Sequence, residues 1–402
     1  MKSKFAIFIK LLCLAYLVVL VPWFISVNEK EKSSKQDSKK LGMWIGVEHL
    51  VKSSKDFSVF KEMNLCLVCS PSSVDQYGHR SIDVLLKNGF KVKQVVIFQD
   101  VLQNDLSDLN GYKTLVRKIS KAPCSIFDND FHFQIKENVD AVIIDIQDSG
   151  ISGDSVSFPL LHVMQESEQN HKKVIVLDRP NLLGGRIEGA GDIPWRHGMT
   201  MGELAYYFNK HVLDRKVDLS VVPMMGWRRR AVEFEQGRSL LNILKETKPI
   251  NVSFNSKDEP SVLLLPEKNS LSKWEMRYLK RICWRLGLHC KDYSKWNDKA
   301  NKFLYGIKIS VKNNNGTFSS FNSILTIVRF LNNRKNIEIS FSEEFDKKLG
   351  SSDVRRFLQG GLRFDDLKNN IDQNVLTFYH KAKECLLYKP EIVVGTTEIV
   401  KG

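Results

Sequence analysis

The sequence predicts an α/β protein: a Rossmann-like, mostly parallel sheet domain followed by a smaller α+β domain, behind an N-terminal transmembrane anchor or signal segment. Three observations predict it. Short apolar runs alternate with helical stretches from residue 41 to about 240, the pattern of a parallel sheet covered by helices. Beyond about residue 255 helix and strand patterns mix without that alternation. The first 28 residues are dominated by one apolar stretch.

Taken in order, Lys2, Lys4 and Lys10 precede a nearly uncharged run from Leu11 to Val27, about long enough to span a bilayer as a helix. Phe24 and Ile25 crowd the positions where a signal peptidase needs small residues, and Cys13 lacks the small residue expected before a lipidated cysteine. An uncleaved anchor is therefore favoured over a cleaved signal, with the bulk of the chain outside the cytoplasm. Residues 29–40 are a charged, Ser/Lys-rich linker. The first domain, 41–245, has strand candidates at Leu65–Cys69, Val92–Phe98, Ala141–Ile144, Val174–Leu177 and Leu219–Pro223. Between them lie helix candidates at Ser81–Asn88, Tyr112–Lys121, Leu160–Gln169 and Thr200–Asn209. No Gly-x-Gly-x-x-Gly follows the first strand, so a dinucleotide is not supported and no cofactor is expected. The second domain, 255–402, has helix candidates at Trp274–Leu286, Ser323–Asn332, Asp353–Gln359 and Val375–Leu387, and a strand at Tyr305–Val311. A cleft between the two domains is the expected ligand site.

Composition limits the partners. A formal net charge of +14 favours anionic material: a membrane surface, nucleic acid or an anionic cell-wall polymer. The cations are dispersed, with no zinc-finger spacing, RNP-like motif or basic arm, which makes nucleic acid a minor expectation. The densest cluster, Trp227-Arg228-Arg229-Arg230, reads as a solvated strand-to-loop edge. Cys66 and Cys69 sit in a strand without a second Cys-x-x-Cys, so they read as small core residues. No His/Asp/Cys set has metal-ligand spacing. Oligomeric state is not legible.

The most informative stretch is VIVLDRPNLLGGRIEGAGDIPWRHGMTMGELA, Val174 to Ala205. A buried strand runs into Asp178-Arg179-Pro180-Asn181, and His197-Gly198-Met199-Thr200 leads into a helix. In an open α/β sheet ligands sit beyond the carboxyl ends of the strands, so a carboxylate, a guanidinium and an amide there suit a multi-hydroxyl ligand. The plainer alternative is that Asp178 pairs with Arg179 and Pro-Asn turns the chain; both stay open. Asp145 and Asp148, at the end of VDAVIIDIQDSG, either bind hydroxyls and act as a base or cap the following loop and helix. His197 is a pH-sensitive contact or general acid, or a structural histidine at a helix entry. Glu203 complements the helix dipole.

The Asp-Arg-Pro-Asn and His-Gly-Met-Thr-x-Gly-Glu-Leu-Ala elements resemble those of the bacterial exo-β-N-acetylmuramidase family. LCLVCSPSSVDQYGHRSIDVL, VDAVIIDIQDSG, DLSVVPMMGWRR, FDKKLGSSDVRRFLQGG and ECLLYKP follow the family's order, and the resemblance covers roughly Met43 to Pro390. It implies a peptidoglycan-related glycosidase that removes terminal N-acetylmuramic acid, with Asp145, Asp148, Asp178, Arg179, Asn181 and His197 at the substrate. With the N-terminal segment, the expected location is the extracytoplasmic, periplasmic side of a bacterial inner membrane, N-terminally anchored or secreted.

The chain departs from the family where catalysis is expected. The family's acid, the Glu of Pro-Glu-His-Gly, is Gln99 here, followed by Asp100 in place of His. Glutamine hydrogen-bonds a sugar but does not exchange a proton near neutral pH. After Gln147-Asp148-Ser149-Gly150, the family's Arg and two Tyr become Ser152, Asp154 and Val156. The early Asn-x-Thr-Gly loop reads Ser70-Pro71-Ser72-Ser73. Three expectations follow: a glycosidase using Asp100 or Asp154 as substitute acid, a receptor that binds a muropeptide or another anionic glycan without cleaving it, or an envelope scaffold with a vestigial cleft.

Overall fold

The computed structural model describes residues 43–53, 55–98, 109–127, 134–152, 157–229, 240, 243–244, 246–248, 251–254, 260–264, 271–297, 301–311, 318–334 and 339–400. Gln99, Asp100, Asp154, the apolar N-terminal segment and its linker lie outside the described residues. Among the described residues no helix is long and apolar enough to cross a membrane. Two units divide at Trp44 and Ile45, and everything below belongs to the second, Ile45–Gly402.

Helix α1 (Gly46–Lys52) precedes strand β1 (Asn64–Cys69). Then come α2 (Ser81–Lys87), β2 (Lys91–Ile97), α3 (Leu109–Ser120), β3 (Cys124–Ile126), β4 (Ala141–Asp145), α4 (Ser157–Gln169), β5 (Lys173–Leu177), α5 (Met201–His211) and β6 (Leu219–Val222). The six strands form one sheet in the order β3-β2-β1-β4-β5-β6, with every pairing parallel. This is the doubly wound order, in which the chain leaves β1 toward one edge and returns to build the other. The switch therefore falls between β1 and β4, whose last residues, Cys69 and Asp145, are directly paired.

Both faces of this sheet are covered, which is why β1, β4 and β5 read as nearly unbroken apolar runs. Leu65, Leu67 and Cys69 of β1 join Val95, Ile143 and Ile175 in a cluster with Leu50, Ile82 and Leu85 of α1 and α2. Cys66 and Val68 point the other way, into a cluster with Val142, Val174, Leu160 and Leu204. The two cysteines thus lie on opposite faces as core residues, and burial pushes both thiols far above their usual range.

The second cluster continues into the C-terminal half, through α6 (Lys273–Arg285), α7 (Ser320–Asn332), α8 (Glu343–Leu349), α9 (Asp353–Leu358) and α10 (Phe364–Ala382). A four-stranded antiparallel sheet lies in this half: β7 (Asn251–Phe254), β8 (Pro260–Leu264), β9 (Leu288–Asn297) and β10 (Lys302–Val311), in the order β9-β10-β8-β7. The expected helix at Val375–Leu387 begins earlier and ends at Ala382. A short 3-10 turn, Lys383–Cys385, follows, and the chain then runs extended. That tail returns to the parallel sheet's loops, where Val393–Val394 pairs in parallel with Arg186–Ile187.

Candidate functional site

The carboxyl ends of β4 and β5 carry three buried charged side chains in sequence contact with loops: Asp145, Asp178 and Arg179. Asp178 and Arg179 are not an ion pair. Arg179 turns to Asp145, giving Nε to Oδ1 and Nη2 to Oδ2 at 3.0 Å, with a further bond from Nη2 to the Val74 carbonyl at 3.0 Å. This bidentate geometry suits a guanidinium and a carboxylate buried together. The Ser81 hydroxyl also donates to Asp145 Oδ2, and the Ser73 hydroxyl to the Asp145 carbonyl. Ser73 in turn accepts from the Ser70 amide at 2.8 Å. The Ser-rich loop after β1 is thereby stitched to the end of β4 across the switch point.

Asp178 instead collects donors from four directions. Its carboxylate accepts from its neighbour's amide, Arg179 N, at 2.8 Å, from Gly202 N at 2.7 Å, from the Thr200 hydroxyl at 3.0 Å and from the Tyr388 hydroxyl. Burial pushes its carboxyl up to about 7, with the Tyr388 and Gly202 hydrogen bonds opposing the rise. Burial, then the Asp178 charge, raises the Tyr388 phenol in turn. Space is tight here: a β-carbon on Gly46 would come within 2.3 Å of the Asp178 amide nitrogen.

The third feature is a buried His197–Asp148 pair. His197 Nδ1 accepts from the Met199 amide at 3.2 Å, which leaves the ring proton on Nε2, 2.9 Å from Asp148 Oδ2. The other carboxylate oxygen, Asp148 Oδ1, is buried and has no hydrogen-bond partner among the described residues. A buried carboxylate oxygen left without a donor is costly, and such an atom invites a functional explanation. Gln147, beside it, donates to the Asp148 and Pro180 carbonyls and fixes the loop.

Glu203 closes the network. Thr200 and Glu203 form a capping box at the start of α5, with Thr200 N donating to Glu203 at 3.0 Å. The other Glu203 oxygen accepts from Leu387 N at 2.8 Å and from Arg229. Arg229 also donates to the Gly198 and Pro390 carbonyls, at 3.0 and 2.9 Å. The solvated-edge expectation for Trp227–Arg230 therefore fails at Arg229, which the Glu203 carboxylate draws inside.

Of the residues expected at a ligand, Asp145, Asp148, Asp178, Arg179, Asn181 and His197 gather at this edge, and all are buried. Asn181 serves its own turn, donating to the Met199 carbonyl at 2.9 Å and accepting from Leu183 N at 2.9 Å. Only Asp148 keeps a carboxylate oxygen uncommitted. Sequence reasoning missed Ser73, Ser81, Arg229 and Tyr388 as members of the network. Tyr388 had one signal, its position in ECLLYKP, but its partner lies 210 residues away. An open depression of about 340 Å³ flanks α5, lined by Tyr206, Asn209, Lys210, Lys216 and the 384–387 turn; none of the expected site residues lines it. Among the described residues no group of His, Cys, Asp and Glu could hold a metal ion.

The family described as exo-beta-N-acetylmuramidase NamZ matches in two parts, its N-terminal region over residues 65–242 and its C-terminal region over residues 281–388. The peptidoglycan beta-N-acetylmuramidase NamZ of Bacillus subtilis (strain 168) is 23% identical, across 89% of this chain and 94% of that protein. Two crystal structures of DUF1343 family proteins from Bacteroides fragilis share the fold. One has a TM-score of 0.64 and 20% identity, over 87% of this chain and all of that one. The other has a TM-score of 0.59 and 19% identity, over 87% and 99%.

Proposed function

We propose that this chain, which belongs to the exo-β-N-acetylmuramidase NamZ family, binds the terminal N-acetylmuramic acid of a peptidoglycan fragment at the β4–β5 edge and releases it by hydrolysis. The observation that carries the reading is Asp148: a buried carboxylate, oriented by His197 through one oxygen, with its second oxygen unpartnered. Glycoside hydrolysis needs one carboxyl group to protonate the leaving oxygen and another at the anomeric carbon or its water. In this reading Asp148 takes the second role or holds a ring hydroxyl, which its unpartnered oxygen supports. The first falls to Asp100 or Asp154, since Gln99 stands where the family's acid is expected. Asp145, Arg179, Asp178 and Asn181 build the floor beneath and do not contact the sugar in this scheme. A peptidoglycan substrate would place the protein outside the cytoplasm, with residues 11–27 as its anchor.

Gln99 favours a second reading, a receptor that holds the same fragment without cleaving it. One experiment separates the two. The purified full chain is incubated with a chromogenic β-N-acetylmuramide and with a disaccharide muropeptide, following sugar release and binding heat together. Release that exceeds an Asp100→Asn/Asp154→Asn control supports a glycosidase with a relocated acid, and Asp148→Asn should then lower the rate at least about 100-fold. Saturable binding without release supports the receptor. Neither signal removes both readings.

A further inference from the structure

The outward face of α6 has no role in the network above. Its sequence, KWEMRYLKRICWR, buries Leu279, Ile282 and Cys283 and leaves Lys273, Trp274, Arg277, Arg281, Trp284 and Arg285 exposed. At 100° per residue these six side chains fall within an arc of about 120°. The helix's single acidic residue, Glu275, lies outside that arc, engaged with the Ser272 cap and 3.9 Å from Arg334. Two tryptophans, 63% and 70% exposed, stand about 15 Å apart along the axis with cations between and beside them. Trp274 is braced from behind by a parallel stack on Tyr278, which stacks on Phe330 of α7, both at 5.5 Å between ring centroids. Large exposed aromatics interleaved only with cations are unusual on a soluble surface and mark an interaction site.

We infer that this face of α6 docks on an anionic phospholipid surface. The chemistry selects that partner. Tryptophan settles at the headgroup level, where its ring is half in hydrocarbon and its N–H stays hydrated, while lysine and arginine reach the phosphates. The stripe carries no Asn, Gln, Asp or Ser of the kind that reads sugar hydroxyls, which disfavours a glycan. The chain's net charge of +14 adds long-range attraction of the same sign. The inference does not depend on the proposed reaction.

The test uses the full chain, so the readout must be specific to α6. Tryptophan fluorescence quenching by brominated phospholipid is recorded for the wild type and for Trp284→Phe, and their difference reports residue 284 alone. The expected result is a difference signal that is quenched in vesicles rich in phosphatidylglycerol and unquenched in phosphatidylcholine vesicles. It should be lost in Lys273→Gln/Arg277→Gln/Arg281→Gln and weakened by salt. All four positions are exposed, and unchanged circular dichroism checks the fold. Should the triple variant misfold, the comparison of the two lipids in the wild type still decides. A difference signal blind to brominated lipid overturns the inference. So does protection of residue 284 from aqueous iodide by a soluble anionic glycan or an oligonucleotide but not by vesicles.

Discussion

Replacing Arg179 with Met discriminates between a guanidinium that holds the fold and one that holds the ligand. In the wild type the Arg179 side chain is 5% exposed and Asp145 is fully buried. Methionine fills most of the volume but deletes the two bonds to Asp145 and the bond to the Val74 carbonyl. Among the described residues Asp145 then keeps only the Ser81 hydroxyl against a buried negative charge. Breaking a buried pair by removing one partner costs roughly 3–5 kcal/mol, against a whole-domain stability of about 5–15 kcal/mol. Urea unfolding at pH 7.5 should register that loss with the slope unchanged. Adding Asp145→Asn should recover part of it, because no unpaired charge remains. A loss under about 1 kcal/mol, or one indifferent to Asp145→Asn, would refute the structural role and return Arg179 to the ligand.

Other outcomes follow from the same geometry. The Asp178 carboxyl is raised by burial from 3.8 to about 7, so its contribution is fully present below pH 3.8 and is lost as pH rises through about 7. The stability gap between wild type and Asp178→Asn should therefore move in the variant's favour between pH 5 and 8, by an amount on the order of a few kcal/mol, and a pH-independent gap would contradict it. Gly46→Ala should destabilise by about 1–3 kcal/mol in thermal melts, since its β-carbon would press on the backbone of Leu177 and Asp178. Tyr388→Phe, which removes one bond to Asp178 and the acceptor for Met224 N, should cost about 2 kcal/mol in urea unfolding. Cys66, Cys69 and Cys283, buried and with raised thiols, should resist iodoacetamide at pH 8 until the protein unfolds, as read by mass spectrometry.

The parallel sheet was the most legible part of this chain. Strands β1, β4 and β5 are buried on both faces, so each is a nearly continuous apolar run that needs no partner to be recognised, and β2 becomes one at Val95–Ile97. Strand β9 was missed because LHCKDYSKWN, with His289, Lys291, Asp292, Ser294 and Trp296 exposed, reads as polar. Helix α10 was found only in its second half. Its Asn- and Asp-rich start hides the stripe of Leu367, Ile371, Val375 and Phe378, which carries the burial. At the site, the residue types were legible and their partners were not. Asp178-Arg179 suggests a local pair, yet Arg179 finds Asp145 34 positions upstream, and Asp178 meets Tyr388 far downstream. Local propensity carries no information about contacts of that separation.

The return of the 386–394 tail bears on how the protein is made. Leu387, Tyr388 and Pro390 bind Glu203, Asp178 and Arg229, so the polar edge of a sheet whose last strand ends at Val222 is completed by residues far downstream. A ribosome that has released the whole parallel sheet still holds a domain whose Asp178 and Glu203 lack these donors. Contacts of such sequence separation form late. Nascent or truncated chains should therefore expose an unfinished, protease-sensitive edge, and tolerance of a C-terminal deletion should end before the pairing of Val393–Val394 with Arg186–Ile187 is lost.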